Sequence, residues 1–236
     1  VRKVTRSRSR ETGLQAAKSE ATRRAAIEGA IDCFVNIGYA RSSTIEIAKR
    51  ARVSRGAMIH HFPTKRKLLE ATVEYIISER IRRFAAGLRK AALTAEDRRA
   101  QRGIDVYWQH LHSRLFTAFH ELVIASRTDA ELERVMRAAT VRFDREWYAT
   151  IQEVFPEWSD KGPLLDLAMD LSQFLLEGMA LNKFSHDAKQ RRQRILEYLK
   201  LRLRDILMGG SADPPRPDAA VSEFLRNAPL RGVDRP

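Results

Sequence analysis

The sequence predicts an all-α chain, with a compact unit of three short helices near the N-terminus followed by a larger helical bundle. Three observations carry that prediction. Apolar residues recur at three-and-four spacing through most of residues 19–208. No alternating run of useful length marks a strand, and there is no internal repeat. The periodic segments are divided by short breakers: Arg127-Thr128-Asp129, Phe155-Pro156-Glu157, Lys161-Gly162-Pro163 and Ser185-His186-Asp187. With 236 residues there is enough chain for a small domain joined to a larger one with its own core.

Residues 1–18, VRKVTRSRSRETGLQAAK, are rich in Arg and Ser and lack an apolar period, so they read as a flexible basic arm. From Ser19 the pattern changes: Ile27, Ile31, Phe34 and Val35 give a helical stripe, and Gly38 follows as a stop. Ser42-Ser43-Thr44 offers hydroxyls for an N-cap, and Ile47, Ala48 and Ala51 give the apolar face of a helix of about two turns. Arg52 and Val53 form a turn. Ser54 caps a further short helix whose inward face carries Met58 and Ile59, and Pro63 closes it after Phe62.

A longer helix starts at Thr64 and Lys65 and runs through Leu68, Leu69, Val73, Ile76 and Ile77 toward Leu88. Further helical segments are expected over 98–126, 129–154, 164–184 and 188–208. Gly209-Gly210-Ser211 and then Pro214-Pro215-Arg216-Pro217 mark the end of the packed region. The domain reading is therefore an arm at 1–18, a three-helix domain at 19–64, a helical domain at 65–210 and a Pro-rich tail at 211–236. Within the tail, Val221, Phe224 and Leu225 have the spacing of one amphipathic turn.

Charge is distributed unevenly. Of 43 Lys and Arg and 30 Asp and Glu, 16 and 6 fall in residues 1–70, a net of +10 that leaves +3 for the rest. The positive field belongs to the first third, where a polyanionic partner would be met. Cys33 is single and sits in an apolar stripe, so disulfides are not expected and a reducing, cytoplasmic setting is. No segment approaches the apolar length of a membrane span, and the basic N-terminus is not followed by an apolar signal core.

Thr44 to Phe62, TIEIAKRARVSRGAMIHHF, has the parts of a helix-turn-helix. Ala48 is the small residue for helix contact, and Val53, Met58 and Ile59 are candidate anchors. Arg55, Gly56, Ala57 and His60 lie toward the other side. Arg55 suits either bidentate bonding to a guanine edge or a phosphate clamp. Thr44, Lys65 and the free N–H groups at the helix starts suit phosphates, as does His61. The Arg-rich arm has the reach for an adjacent minor groove.

On these residues the stretch from about Ser19 to Leu69 resembles the N-terminal domain of the TetR family of transcription regulators. The matching positions are Ile27 to Phe34, Gly38-Tyr39, Thr44, Ile47-Ala48, Ala51, Val53-Ser54, Gly56, His61-Phe62-Pro63, Lys65 and Leu68-Leu69. The resemblance implies that Arg55, Gly56, Ala57 and Ile59 face DNA, with Thr44, His61 and Lys65 at its backbone. Two positions depart from the family pattern. Ile59 stands where a Tyr is usual, and Arg52 replaces the usual turn glycine, adding a cation near the DNA.

The resemblance also implies a helical C-terminal domain that dimerises and holds a small-molecule effector. That effector would release a repressor from double-stranded operator DNA. The apolar stripes of the last two helices, Leu171, Leu175 and Met179 with Ile195, Leu199, Leu203 and Ile206, suit a homodimeric four-helix bundle. Their own domain's core is the alternative use for them. Trp108, His112, Phe116, Phe119 and His120, with Phe143 and Trp147, are candidate effector contacts, and core packing accounts for them equally well. The segment Phe119 to Arg134 also resembles an Arg-Thr-Asp loop of this family's C-terminal domain.

The sequence offers little for catalysis or for a cofactor. His110 and His112 are two apart on a helix, point different ways, and lack a third metal ligand at helical spacing. There is no GxSxG, glycine-rich phosphate loop or CxxC. Neither an enzyme nor a metal site is expected. A helical interaction protein that binds no specific DNA sequence is the competing class.

Overall fold

The computed structural model describes residues 2–182 and 187–208, with side chains from Gln15 onward. Its order is α1 (Arg2–Ile37), α2 (Thr44–Ala51), α3 (Arg55–His61), α4 (Lys65–Ala92), a 3₁₀ turn (Glu96–Arg98), α5 (Arg99–His110), α6 (Arg114–Ala125), α7 (Ala130–Val154), a 3₁₀ segment (Pro156–Lys161), α8 (Pro163–Leu181) and α9 (Ala188–Met208). The described residues contain no strand, and the fold is all-α as expected.

Caps explain why the short helices stop and start where they do. The hydroxyls of Ser43, Ser54 and Thr64 accept from the backbone N–H groups of Glu46, Ala57 and Lys67, each at 3.1 Å. Each satisfies one of the unpaired donors of a first turn. Ser113 does the same for Phe116 at 3.2 Å, and Asp129 for Leu132 at 2.9 Å.

One core runs through the molecule. Ile27, Ile31 and Phe34 of α1 meet Ile47, Met58 and Phe62 at the N-terminal end, and the core continues along α4 through Leu68, Val73 and Ile77 to Phe84 and Leu88. Helix α4 packs on α1 and also on α5 and α7, so it belongs to both halves.

Four expectations about the elements are corrected. The arm at 1–18 is not irregular: from Arg2 it is the N-terminal part of α1. An apolar period is needed to bury a helix, not to extend one. The packed turns around Ala26 to Phe34 supply the nucleus, and a proline-free, Arg-rich run continues it. The single helix expected over 98–126 is two, because the Ser113 cap ends one apolar period and starts another. Met58 and Ile59 do not share an inward face, since Met58 is buried and Ile59 is exposed. Helix α8 stops at Leu181, where Asn182 is its C-cap, short of the expected 184; residues 183–184 and the tail at 211–236 lie outside the described residues.

Candidate functional site

At the N-terminal end, α2 and α3 are joined by a turn in which Arg52 adopts the left-handed conformation, φ 55° and ψ 37°. Its N–H donates to Lys49 at 3.2 Å, and that of Val53 to Ala48 at 3.1 Å, so the helix end is closed without glycine. A residue with Cβ holds this conformation at a cost of about 1–2 kcal/mol. The substitution of the usual glycine therefore leaves the turn intact.

Helix α2 is fixed to α1 by two devices. Arg50 donates to Asp32 at 2.6 Å and to Glu46 at 3.1 Å. The two helices lie close together at Gly29, where a Cβ would lie 2.7 Å from Ala51 Cβ and 2.9 Å from both Ala51 N and Ile47 O. Sequence reasoning named Ala48 for the contact within the helix-turn-helix, where it is buried, and did not name Gly29 for this one. The available signal was a glycine in the middle of an otherwise well-formed amphipathic helix.

The anchoring turns Arg55, Gly56, Ile59 and His60 outward and leaves Ala57 and His61 half-buried. Ser54 and Arg52 are exposed beside them, and Thr44, half-buried, opens α2, with the capping role falling to Ser43. Lys65 begins α4, its ammonium 4.8 Å from the Tyr39 ring centroid, a cation–π placement that orients it. The sequence-predicted positions thus lie on a connected stretch from Thr44 to Lys65. Cys33 is buried beneath it, and burial pushes its thiol up to about 11, which leaves it unreactive.

This unit is clamped to the rest of the molecule at the α1–α2 loop. The Tyr39 N–H donates to Glu121 of α6 at 2.8 Å, and its hydroxyl to Asp129, the cap of α7, at 3.1 Å. Burial first, and Asp129 second, push the Tyr39 hydroxyl up to about 12. Arg114 of α6 donates to the Glu28 carboxylate at 2.7 Å and to its carbonyl at 2.9 Å. Helix α6 therefore grips the N-terminal unit at both ends.

The opposite face of α6 enters a buried polar cluster. Arg80 of α4, only 7% exposed, has its guanidinium 4.4 Å from the ring centroids of Phe119 and Phe143 and 3.9 Å from Glu177 of α8. Glu177 also accepts from the Tyr107 hydroxyl at 2.8 Å and lies 3.3 Å from His120 Nε2. Burial lowers the pKa of Arg80 and raises that of Tyr107. For Glu177 burial works upward, but His120, Tyr107 and Arg80 together outweigh it and hold the carboxyl below its usual range.

Of the seven residues expected at an effector site, Phe116, Phe119, His120 and Phe143 gather round the Arg80–Glu177 pair. Trp147 stacks on Phe84 at 3.5 Å and forms the wall of an adjoining cavity of about 60 Å³. Trp108 and His112 pack on each other at 4.7 Å, with His112 exposed, and line no part of that cavity. Arg80, Tyr107, Phe84 and Glu177 were missed. Arg80 sits on the stripe Val73-Ile77-Arg80-Phe84, and a charge at a core position was the signal.

The expected dimer stripe is divided as well. Met179, Leu199 and Leu203 are buried in their own domain, and Leu175 and Ile195 are half-buried. Leu171 is exposed, in line with Leu164, Leu167, Phe174 and Leu181 at three-and-four spacing. Tyr198, Leu201 and Met208 of α9 are exposed too. These helices carry two apolar faces, and spacing alone does not say which one looks inward. No described helix is long and apolar enough to cross a membrane.

A tight two-helix element with a capped, outward-facing second helix, set on an all-helical domain, defines a helix-turn-helix protein. Residues 26–72 match the family model for bacterial regulatory proteins, tetR family. Through this segment the chain is similar to the N-terminal domain of the tetR family. It is 31% identical over 128 residues to the HTH-type transcriptional regulator CymR of Pseudomonas putida, 54% of this chain and 62% of that protein. An uncharacterised HTH-type transcriptional regulator of Mycobacterium tuberculosis is 27% identical over 111 residues, 47% and 56% of the two chains. The match thus spans little more than half the length of these relatives. A transcriptional regulator from Rhodococcus sp. Rha1 shares the fold at a TM-score of 0.58 and 20% identity, over 79% of this chain and 96% of that one.

Proposed function

We propose that this chain is a cytoplasmic, homodimeric, sequence-specific DNA-binding repressor, with no catalytic role, that leaves its operator when a small molecule binds the helical domain. The observation that carries this is the recognition helix α3: anchored by buried Met58, fixed by the Arg52 turn, and presenting Arg55, Gly56, Ala57 and Ile59. Arg55 reads a base edge, Ile59 offers apolar surface to a thymine methyl, and Thr44, Ser54, His61, Lys65 and Arg52 hold the phosphate backbone. The exposed stripes of α8 and α9 pair with those of a second copy in a four-helix bundle, which gives two recognition helices for a two-fold-symmetric site.

Release follows from α6. One face of it meets the Arg80–Glu177 cluster, and its Glu121 and Arg114 hold the DNA-binding unit. An effector that favours one α6 position changes the spacing of the two recognition helices only through its differential affinity for the two states. Immunoprecipitation of the chain with its cellular DNA, followed by footprinting, tests the reading. Protection of two symmetric half-sites supports it; bound fragments without a shared motif favour a helical interaction protein instead.

A further inference from the structure

Helix α1 does not begin with the packed unit. Ala26 is its first fully buried position among the described side chains, and from Gln15 to Arg24 every residue but half-buried Thr22 is exposed. At about 1.5 Å per residue, the turns from Arg2 to Ala25 carry the helix axis about 36 Å away from that point. Those turns hold 8 Lys and Arg against 2 Glu, a net of +6, with Val4 and Leu14 as their large apolar residues.

Such a stretch has no apolar face to lay on a protein or a membrane surface, so its partner is a polyanion. The place where it leaves the core says which one. Helix α1 packs on α3, and the Arg23 guanidinium lies 5.8 Å from the ring centroid of Phe62, the C-cap of α3. The basic turns therefore depart beside the end of the recognition helix.

The helical state decides what this segment can do to DNA. An irregular arm fits a minor groove about 6 Å wide, whereas an α-helix with its side chains is about 10–12 Å across and does not. The phosphate backbone is open to it. Positions 2, 6 and 10 are all Arg and share one face with Lys3, at a repeat of about 6 Å along the axis. Over a short run that repeat matches the step between successive phosphates of one strand.

We infer that the N-terminal part of α1 is a second DNA-contacting element: a basic helix that lies along the phosphate backbone beside the half-site read by α3 and adds affinity without sequence preference. The inference rests on the regulator reading for DNA as the partner, and goes beyond it in the contact it adds. It replaces the minor-groove reach expected of an irregular arm.

The test compares the full-length protein with the triple variant Arg2→Gln, Arg6→Gln, Arg10→Gln on an A·T-rich duplex of about 40 bp carrying no selected site, from about 50 to 200 mM salt. At about 0.9 per phosphate contact, the wild-type salt slope is expected to be steeper by about 3, so the wild type loses about 40-fold more affinity than the variant across that range. Netropsin, which fills the minor groove of A·T runs, is expected to leave this difference unchanged. Ala16→Pro keeps every charge and breaks the helix at an exposed position, and is expected to lower the slope where Ala16→Gln does not.

Equal slopes for wild type and triple variant overturn the proposal. So does a difference that netropsin abolishes, or a wild-type slope in Ala16→Pro. Should Ala16→Pro fail to fold, the Arg variant and netropsin decide. A protein that shows the slope difference but selects no DNA motif keeps the basic helix and loses the regulator reading. One that selects a motif with equal slopes loses the basic helix alone.

Discussion

Gly29→Ala probes the contact that sets the recognition helix. The added Cβ would lie 2.7 Å from Ala51 Cβ, where carbon atoms normally rest about 3.5–4.0 Å apart, so α2 must retreat by about 1 Å. The other two close atoms, at 2.9 Å, are backbone, so no side-chain rotation relieves them. Overpacking of this kind costs about 1–3 kcal/mol, and the better helix propensity of alanine returns about 0.8–1.0 kcal/mol. The net expected loss is about 0–2 kcal/mol, centred near 1 kcal/mol, which is roughly 2–4 °C in a chain of this length. Thermal unfolding at a fixed protein concentration measures it. Gly103→Ala is the control, because its Cβ meets only Leu88 Cδ2 at 3.9 Å, an ordinary contact. A Gly29→Ala protein that melts at or above the wild-type temperature, and binds DNA unchanged, would refute the close-approach reasoning.

The remaining predictions concern DNA, assembly and acid. Arg55→Ala should lose about 1–3 kcal/mol of binding and relax preference at one operator position. Lys65→Ala should weaken all sequences alike and reduce the salt slope by about one; unchanged preference in Arg55→Ala would take Arg55 out of base reading. The double variant Leu167→Lys, Phe174→Lys should sediment as a monomer, and a persistent dimer would place the interface elsewhere. Glu177 has a folded pKa below its ordinary value of about 4.3, so its contribution is fully present above that value and lost as pH falls through the folded pKa. Glu177→Gln should therefore flatten the acid limb of stability below about pH 5, and an unchanged limb would show that its partners do not hold the carboxylate.

What the sequence made legible was local. The cap at Ser54, the stop at Gly38 and the apolar period of α4 act within a turn or two of chain, and each is found where residue type and spacing put it. What it concealed depends on distant partners. Nothing near Gly29 announces that Ala51 will lie against it, and the core-stripe position of Arg80 does not name Phe119, Phe143 and Glu177 as the groups that close round it. Leu199 and Leu201 are the same residue type two positions apart, one buried and one exposed, because α9 is apolar on more than one side. The extension of α1 through the Arg-rich segment was hidden because continuing a formed helix needs no burial.

The central claim, sequence-specific binding by a dimer, is met most directly by selecting bound sequences from a random duplex pool with the purified protein at near-physiological salt. The account predicts recovery of a two-fold-symmetric motif with half-sites about one helical turn apart. A folded dimer that recovers no motif would contradict it.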